Sequence, residues 1–188
     1  MSPQTYRTIN RDERTPHSVT RSAARVVLQH DMTVIASTVT DVVTSAGGWL
    51  FDRRMAGWQV NVLLSDRVGE RALRILGAKA LDLDGGLYAI ADDPDRAATV
   101  VVAADVYAAD ERVRRLVSTS DRSRAEVALW GDTGSLGESV SAVSYRLSAA
   151  ARAFKAQALM AAGVPGESVA ATEALFRCGV TALAPVAR

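Results

Sequence analysis

Cysteine, histidine and lysine are scarce in this chain. Its 188 residues include one cysteine, Cys178, and two each of histidine and lysine. A single thiol cannot form a disulfide within the chain, and no C-x-x-C or H-x-x-x-H spacing typical of zinc sites occurs. We therefore expect no disulfide, no metal and no cofactor, which suits a reducing cytoplasm. The few lysines and many alanines are typical of a GC-rich bacterial genome.

The chain also lacks a strong net charge and a long apolar run. The formal net charge is +1, so no overall field attracts nucleic acid or anionic lipid. No stretch approaches the roughly 18 apolar residues that a membrane-spanning helix requires. The first residues show no apolar core of a signal peptide. We expect a cytoplasmic protein that associates with neither nucleic acid nor membrane.

The remaining composition is that of an ordinary globular protein, with 48% hydrophobic and 23% charged residues. A chain of this length suits one domain that buries about 70% of the surface exposed by its unfolded form. Residues 1–25 are polar, carry five arginines against two acidic residues, and show no period. We expect a flexible basic arm at 1–25 and a single α/β domain at 26–188.

Hydrophobic spacing in the domain predicts interleaved helices and strands. Strands are predicted at 59–64, 98–106 and 125–131, and helices at 31–57, at 69–77, from Asp110, at 138–162 and from Ser168. The stretch ALDLDGGLYAIA, 80–91, alternates around a glycine pair, which predicts a β-hairpin. This order predicts an α/β fold with a mixed sheet of about five strands, including the hairpin, covered by helices.

The tetrapeptide DTGS at 132–135 has three interpretations. Aspartic proteases place it around a catalytic carboxylate, but one copy does not supply the facing pair of carboxylates that their chemistry needs. As a glycine-rich loop after a strand, 131–138 can bind an anion or a phosphorylated ligand, although it lacks the lysine of a P-loop. Ser135 and Glu138 also form the S-x-x-E pattern that caps a helix. Capping is the interpretation that we favour.

The segment GGWLFDRRMAGW, 47–58, holds two tryptophans and a charged pair between glycines. Its aromatic and polar residues can line a mostly apolar pocket of the kind that binds small molecules. We favour the alternative that both indoles pack between a helix and the sheet while the charged residues form a surface pair. The candidate ligand-binding residues of the chain are Trp49, Asp52, Arg53, Trp58, Asp132, Thr133, Gly134 and Ser135.

These patterns leave several functions open. We expect a non-catalytic binding or regulatory module for a protein partner or a small ligand, and a homodimer in which the alanine-rich helix at 138–162 approaches a second copy. The alternative is a small enzyme that acts on an anionic or phosphorylated substrate bound at 131–138, with Arg53 or Arg115 nearby. A third hypothesis is nucleic-acid association through the arm at 1–25.

Overall fold

The computed structural model describes residues 30–92, 97–122, 125–134, 140–166 and 168–178. The strands are β1 (Asp31–Thr38), β2 (Gln59–Asp66), β3 (Lys79–Asp82), β4 (Ala97–Ala103), β5 (Glu126–Trp130), β6 (Val140–Arg146) and β7 (Thr172–Cys178). The helices are α1 (Val39–Met55), α2 (Arg71–Ile75), α3 (Leu83–Asp92), α4 (Ala104–Ala109), α5 (Glu111–Arg122) and α6 (Ala149–Ala161).

The strands form one mixed sheet in the order β3-β2-β1-β4-β5-β7-β6. The first five in that order run parallel to one another. At the far edge, β7 pairs antiparallel with both β5 and β6. The chain moves outward from β1 to β3 and then continues on the other side of β1 with β4, so the strand order reverses between β1 and β4. In such sheets, ligands bind in the crevice outside the carboxyl ends of the strands at this reversal.

Helices cover both faces of the sheet. Right-handed crossovers place the helices of the outward path on one face and those of the return path on the other. Accordingly, α1, α2 and α6 pack together, whereas α5 packs against α3 and α4. The central strands are buried on both faces, as shown by Met32–Ala36 and by Val100–Ala103. The crevice at the carboxyl ends of β1 and β4 therefore lies between a layer of α1, α2 and α6 and a layer of α3, α4 and α5.

The predicted α/β class is confirmed, with seven strands rather than about five. The strands predicted at 59–64, 98–106 and 125–131 are present as β2, β4 and β5, although β4 ends at Ala103. The helices predicted at 69–77 and from Asp110 are present as α2 and α5. Gly57 and Gly77 follow α1 and α2 with φ of 93° and 75°, a conformation that favours glycine and ends a helix.

The helix predicted at 31–57 is wrong over its first eight residues, which form β1. A strand buried on both faces of a parallel sheet loses the apolar-polar alternation that identifies strands, so its spacing also fits a helix. The helix begins at Val39, because the Thr38 hydroxyl accepts a hydrogen bond from the N–H of Asp41 at 3.2 Å. Gly47 and Gly48 lie inside α1 and do not interrupt it.

The hairpin predicted at 80–91 is also wrong. β3 ends at Asp82, and α3 follows at once from Leu83. Gly86 permits the helix to lie close to the sheet, since a Cβ on it would be 2.2 Å from Cδ2 of Leu63 in β2. This glycine therefore serves a helix–sheet contact and not a turn.

The long helix predicted at 138–162 is wrong in its first part, which contains β6. α6 begins only at Ala149, after Ser148 accepts a hydrogen bond from the N–H of Ala151 at 3.0 Å. The helix predicted from Ser168 is replaced by β7. The arm predicted at 1–25 lies outside the described residues. In the part of the chain that the structure describes, no helix has the length and apolar character needed to cross a membrane.

Candidate functional site

The crevice between β1 and β4 is surrounded by polar side chains. Ser37 and Thr38 end β1, Asp105 lies in the first turn of α4 directly after β4, and Asp132 follows β5. Because these strands are parallel neighbours, their carboxyl ends open on the same edge of the sheet. Three strand ends therefore bring hydroxyl and carboxylate groups to one crevice.

A hydrogen bond links the two strand ends at the crevice. The Ser37 hydroxyl donates to Oδ2 of Asp105 at 3.2 Å. Asp105 is exposed and Ser37 is half-buried. The carboxylate therefore faces solvent in a fixed direction, where it can contact a bound molecule.

Asp41 forms a less exposed cluster at the start of α1. Its Oδ1 accepts a hydrogen bond from the Ser45 hydroxyl at 3.1 Å, and its Oδ2 accepts one from Nε1 of Trp130 at 2.9 Å. Trp130 is the last residue of β5 and is 1% exposed. Since both carboxylate oxygens have partners, Asp41 holds α1 against the end of β5.

The loop after β5 lies at the rim of the crevice. Gly131 has a φ of 95°, and a Cβ on it would lie 3.6 Å from Cβ of Ala104, the first residue of α4. Asp132 accepts a hydrogen bond from the N–H of Gly134 at 2.9 Å, which closes a local turn. Asp132 and Gly134 are exposed and Thr133 is half-buried. These three candidates therefore lie together at the crevice.

Ser135 and Glu138, which carry the capping interpretation, lie outside the described residues, so capping stays a prediction. The helix expected from residue 138 is absent over Val140–Arg146, which form β6. The anion interpretation of 131–138 likewise stays a prediction, since 135–138 are not among the described residues. The helices that do begin at the crevice are α1 and α4, and each carries an aspartate in its first turn.

The aspartates at the crevice have different hydrogen-bond partners and do not form a common cluster. Among the described residues, no three His, Cys, Asp or Glu side chains are grouped in a way that would hold a metal ion.

The segment 47–58 brings three of its four candidate residues together. The guanidinium carbon of Arg53 lies 5.4 Å from the ring centre of Trp49 and 5.1 Å from that of Trp58. Trp49 is buried, whereas Trp58 is half-buried and stacks on His30 with 5.0 Å between ring centres. Arg53 therefore lies between two indoles in a cation–π arrangement.

Asp52 has a different partner from the one predicted. Its carboxylate accepts hydrogen bonds from the hydroxyl of Ser148 at 2.7 Å and from the N–H of the same residue at 3.1 Å. Ser148 in turn caps α6. Asp52 therefore fixes the start of α6 and does not form the expected surface pair with Arg53.

A buried ion pair between α6 and β7 had no counterpart in the sequence patterns. Nζ of Lys155 lies 2.7 Å from Oε1 of Glu173, and the two side chains are 8% and 3% exposed. The carboxylate also accepts hydrogen bonds from the N–H groups of Gly48 and Trp49, at 2.9 and 2.8 Å. Lys155 donates a further bond to the carbonyl of Thr44 at 2.6 Å. The sequence feature that could have indicated this pair is Lys155 itself, one of the two lysines of the chain, which lies on an alanine-rich helix.

Several side chains in the described part of the chain have shifted pKa values with clear structural causes. Burial, and then the nearby charge of Asp52, raise the pKa of Tyr145. Burial likewise raises the pKa of Tyr107. The hydrogen bond from the side chain of Arg112 lowers the pKa of Asp110.

Several solved structures are similar to this one. A deacetylase triple mutant from the teicoplanin biosynthetic pathway matches with a TM-score of 0.52 and 13% identity, covering 79% of this chain and 97% of that one. A deacetylase–bog complex from the same pathway matches with a TM-score of 0.50 and 13% identity, covering 78% and 97%. The deacetylase of A40926 pseudoaglycone matches with a TM-score of 0.48 and 16% identity, covering 72% and 82%. No protein-family model and no curated protein matches the sequence.

These neighbours correct the function expected from the sequence. The two with TM-scores of 0.52 and 0.50 are deacetylases, and a deacetylase is an enzyme. The expectation of a non-catalytic binding or regulatory module is therefore wrong, and the alternative of a small enzyme agrees better with the structures that share the fold. At 13% identity, the likeness itself establishes an α/β fold in common with deacetylases.

Proposed function

We propose that this protein is an enzyme that hydrolyses an acyl bond, in an amide or an ester, at the crevice between β1 and β4. The observation that carries the proposal is the exposed carboxylate of Asp105, which is held at the crevice by the hydroxyl of Ser37 on the neighbouring strand. The fold in common with deacetylases, at TM-scores of 0.52 and 0.50, supports this class of reaction.

Asp105 acts as the general base in this proposal. A carboxylate that faces solvent in a fixed direction can take a proton from a water molecule beside it. The water oxygen then attacks the carbonyl carbon of the substrate and forms a new C–O bond, and the electron pair of the C=O bond moves to the carbonyl oxygen. Ser37 orients the carboxylate through its hydrogen bond.

The start of α1 stabilises the negative charge that develops on the carbonyl oxygen. Val39 and Thr40 are the first residues of α1, and N–H groups at this position have no acceptor within a helix. Such N–H groups, together with the helix dipole, stabilise an oxyanion. When the intermediate collapses, the bond to the amine or alcohol breaks. The leaving group takes the proton from Asp105, and the acyl group departs as the acid.

The charge of the crevice indicates which substrates it accepts. Asp105 and Asp132 are exposed at the crevice, and Asp41 lies half-buried at the start of α1. Because like charges repel, carboxylates around the crevice disfavour a phosphate or another anionic substrate. We therefore retain the enzyme of the alternative hypothesis but replace its anionic substrate with a neutral or cationic acyl compound.

The proposal is tested by acid release. The purified chain is incubated with N-acetyl amino sugars, N-acyl amines and acyl esters, and the released acid is measured by mass spectrometry against heat-denatured protein. We expect release from at least one neutral or cationic compound, and release at least about tenfold slower from its phosphorylated counterpart. If no compound yields acid at protein concentrations where one turnover of the protein present is detectable, the proposal is wrong.

A further inference from the structure

The layer formed by α1, α2 and α6 contains a groove that has no part in the proposed reaction. Its volume is about 470 Å³, and its apolar lining includes Phe51, Met55, Ile75 and Phe154. The rings of Phe51 and Phe154 stack with 4.5 Å between their centres. Met55 and Phe154 are nevertheless 66% and 45% exposed. The groove is therefore an open apolar surface, with a volume in the range of small-molecule sites.

Exposed arginines lie at one edge of this groove and nearby on α2. Arg74 lines it, and Arg54 lies against Gly77 at its edge, where a Cβ on the glycine would be 2.7 Å from Cγ of the arginine. Arg71 lies one helical turn before Arg74 on α2. Within the described ranges, these three arginines make no ion pair and no side-chain hydrogen bond. Their charges therefore remain available to a bound molecule.

The other charged groups near the groove and across the sheet have partners of different kinds. The carboxylate of Asp52, which also lines the groove, keeps its charge but is directed toward the start of α6 by its two hydrogen bonds from Ser148. On the opposite face of the sheet, α5 carries arginines that do have partners. Arg112 pairs with Asp84 and Asp110, and Arg115 pairs with Glu111. Arg74 and Arg54, in contrast, lie beside the apolar groove without an acidic partner among the described residues.

We propose that this groove binds an anionic amphiphile with a single apolar chain, such as a fatty carboxylate. The chain lies against the stacked rings of Phe51 and Phe154 and against Met55, where burial of apolar area is favourable. The carboxylate pairs with Arg74, whose planar guanidinium matches the geometry of a carboxylate. A concave groove fits a single chain better than the flat surface of a bilayer. A second copy on this face would bring like charges together, which is unfavourable.

This site is separate from the proposed active site. Phe51 lies 13 residues beyond Thr38 along α1, which corresponds to about 20 Å at the rise of a helix. The amphiphile is therefore not the substrate of the crevice. A chain without hydrolytic activity would still be expected to bind the amphiphile, so the two proposals fail independently.

Calorimetric titration with decanoate, below its micelle concentration, tests this proposal on the full chain. We expect one site, and at least about tenfold weaker binding of decyltrimethylammonium, which has the same chain and the opposite charge. Arg74→Gln and Met55→Gln should each weaken decanoate binding at least about fivefold. Arg146→Gln and Met160→Gln are the matched controls, because both residues are exposed and lie outside the groove. These controls should bind like the wild type.

Each of the other outcomes contradicts the proposal. Equal affinity for the anion and the cation, or equal losses in the groove and control variants, would mean non-specific adsorption. Binding to vesicles of anionic phospholipid without binding to decanoate would assign this face to a membrane. Binding only to an acidic amphipathic peptide would assign it to a protein partner, and the absence of all binding would leave the groove without a ligand.

Discussion

The buried carboxylate of Glu173 requires a glycine at position 48 of α1. Its carboxylate lies beside the middle of α1, where it accepts hydrogen bonds from the N–H groups of Gly48 and Trp49. A Cβ on Gly48 would lie 2.5 Å from Cδ1 of Leu147 and 3.2 Å from Oε1 of Glu173. Glycine inside a helix costs about 1 kcal/mol relative to alanine, and here it allows these close contacts. Gly48 is therefore required by the close contacts with Leu147 and Glu173 and not by a turn.

The pair formed by Lys155 and Glu173 should show strong coupling. Lys155→Met leaves a buried carboxylate without its cation, which should lower the free energy of unfolding by about 3–5 kcal/mol. The double variant Lys155→Met/Glu173→Gln buries no unpaired charge, so its loss should be smaller than the sum of the two single losses. Urea denaturation of the four proteins measures this difference. The exposed pair of Arg67 and Glu70 is the control, with an expected coupling of at most about 0.5 kcal/mol.

Additive losses at Lys155 and Glu173 would contradict the buried ion pair.

Asp110 should contribute to stability in a pH-dependent way. The hydrogen bond from Arg112 lowers its pKa in the folded chain. Its contribution is therefore complete above the unfolded pKa of about 3.9 and is lost as the pH falls through the lower folded value. Because the pair is near solvent, the contribution should be at most about 0.5 kcal/mol. The variant Asp110→Asn removes the charge but keeps the helix cap, since asparagine is an equally good N-cap.

The free energy of unfolding of this variant and of the wild type, measured at pH 7 and near pH 3, should differ more at pH 7. An equal difference at both values would be inconsistent with the lowered pKa.

At the scale of an element, two adjacent glycines of α3 have different roles. A Cβ on Gly86 would lie 2.2 Å from Cδ2 of Leu63, whereas the nearest atom to a Cβ on Gly85 would be Oδ1 of Asp82 at 3.8 Å. Gly86→Ala should therefore destabilise the fold by about 1–3 kcal/mol through overpacking. Gly85→Ala should be neutral or should stabilise it by up to about 1 kcal/mol. Thermal unfolding of the two variants makes this comparison, and equal melting temperatures would contradict the close contact of α3 with β2.

The strands that were predicted correctly are apolar runs with polar boundaries, such as β5. Among the strands that escaped prediction, β1 and β7 did so for different physical reasons. β1 is buried on both faces, so it lacks alternation. In β7, Glu173 and Leu175 both point into the protein, and a charged residue at an inward position hides the period of a strand. Only the partner Lys155, which is distant in sequence, explains that position.

At the scale of the whole molecule, the crevice depends on strand order. Ser37 and Asp105 are 68 residues apart and belong to no short motif, so nothing local indicates that they meet. The residues Asp132, Thr133 and Gly134 were identified because glycine and aspartate have recognisable turn chemistry. The interpretation of that loop as a helix cap depends on Ser135 and Glu138, which lie outside the described residues, so it stays a prediction. A homodimer through α6 and a location in the cytoplasm stay predictions.

The most direct measurement on the crevice is kcat/KM for acid release by Asp105→Asn, with Asp82→Asn as the control. Both aspartates are exposed near the carboxyl end of a parallel strand, but Asp82 lies at the end of β3, away from the crevice. Loss of a general base should lower kcat/KM by about 100-fold or more, while the control should keep the value of the wild type. An Asp105→Asn variant with wild-type kcat/KM would contradict a reaction at the crevice between β1 and β4.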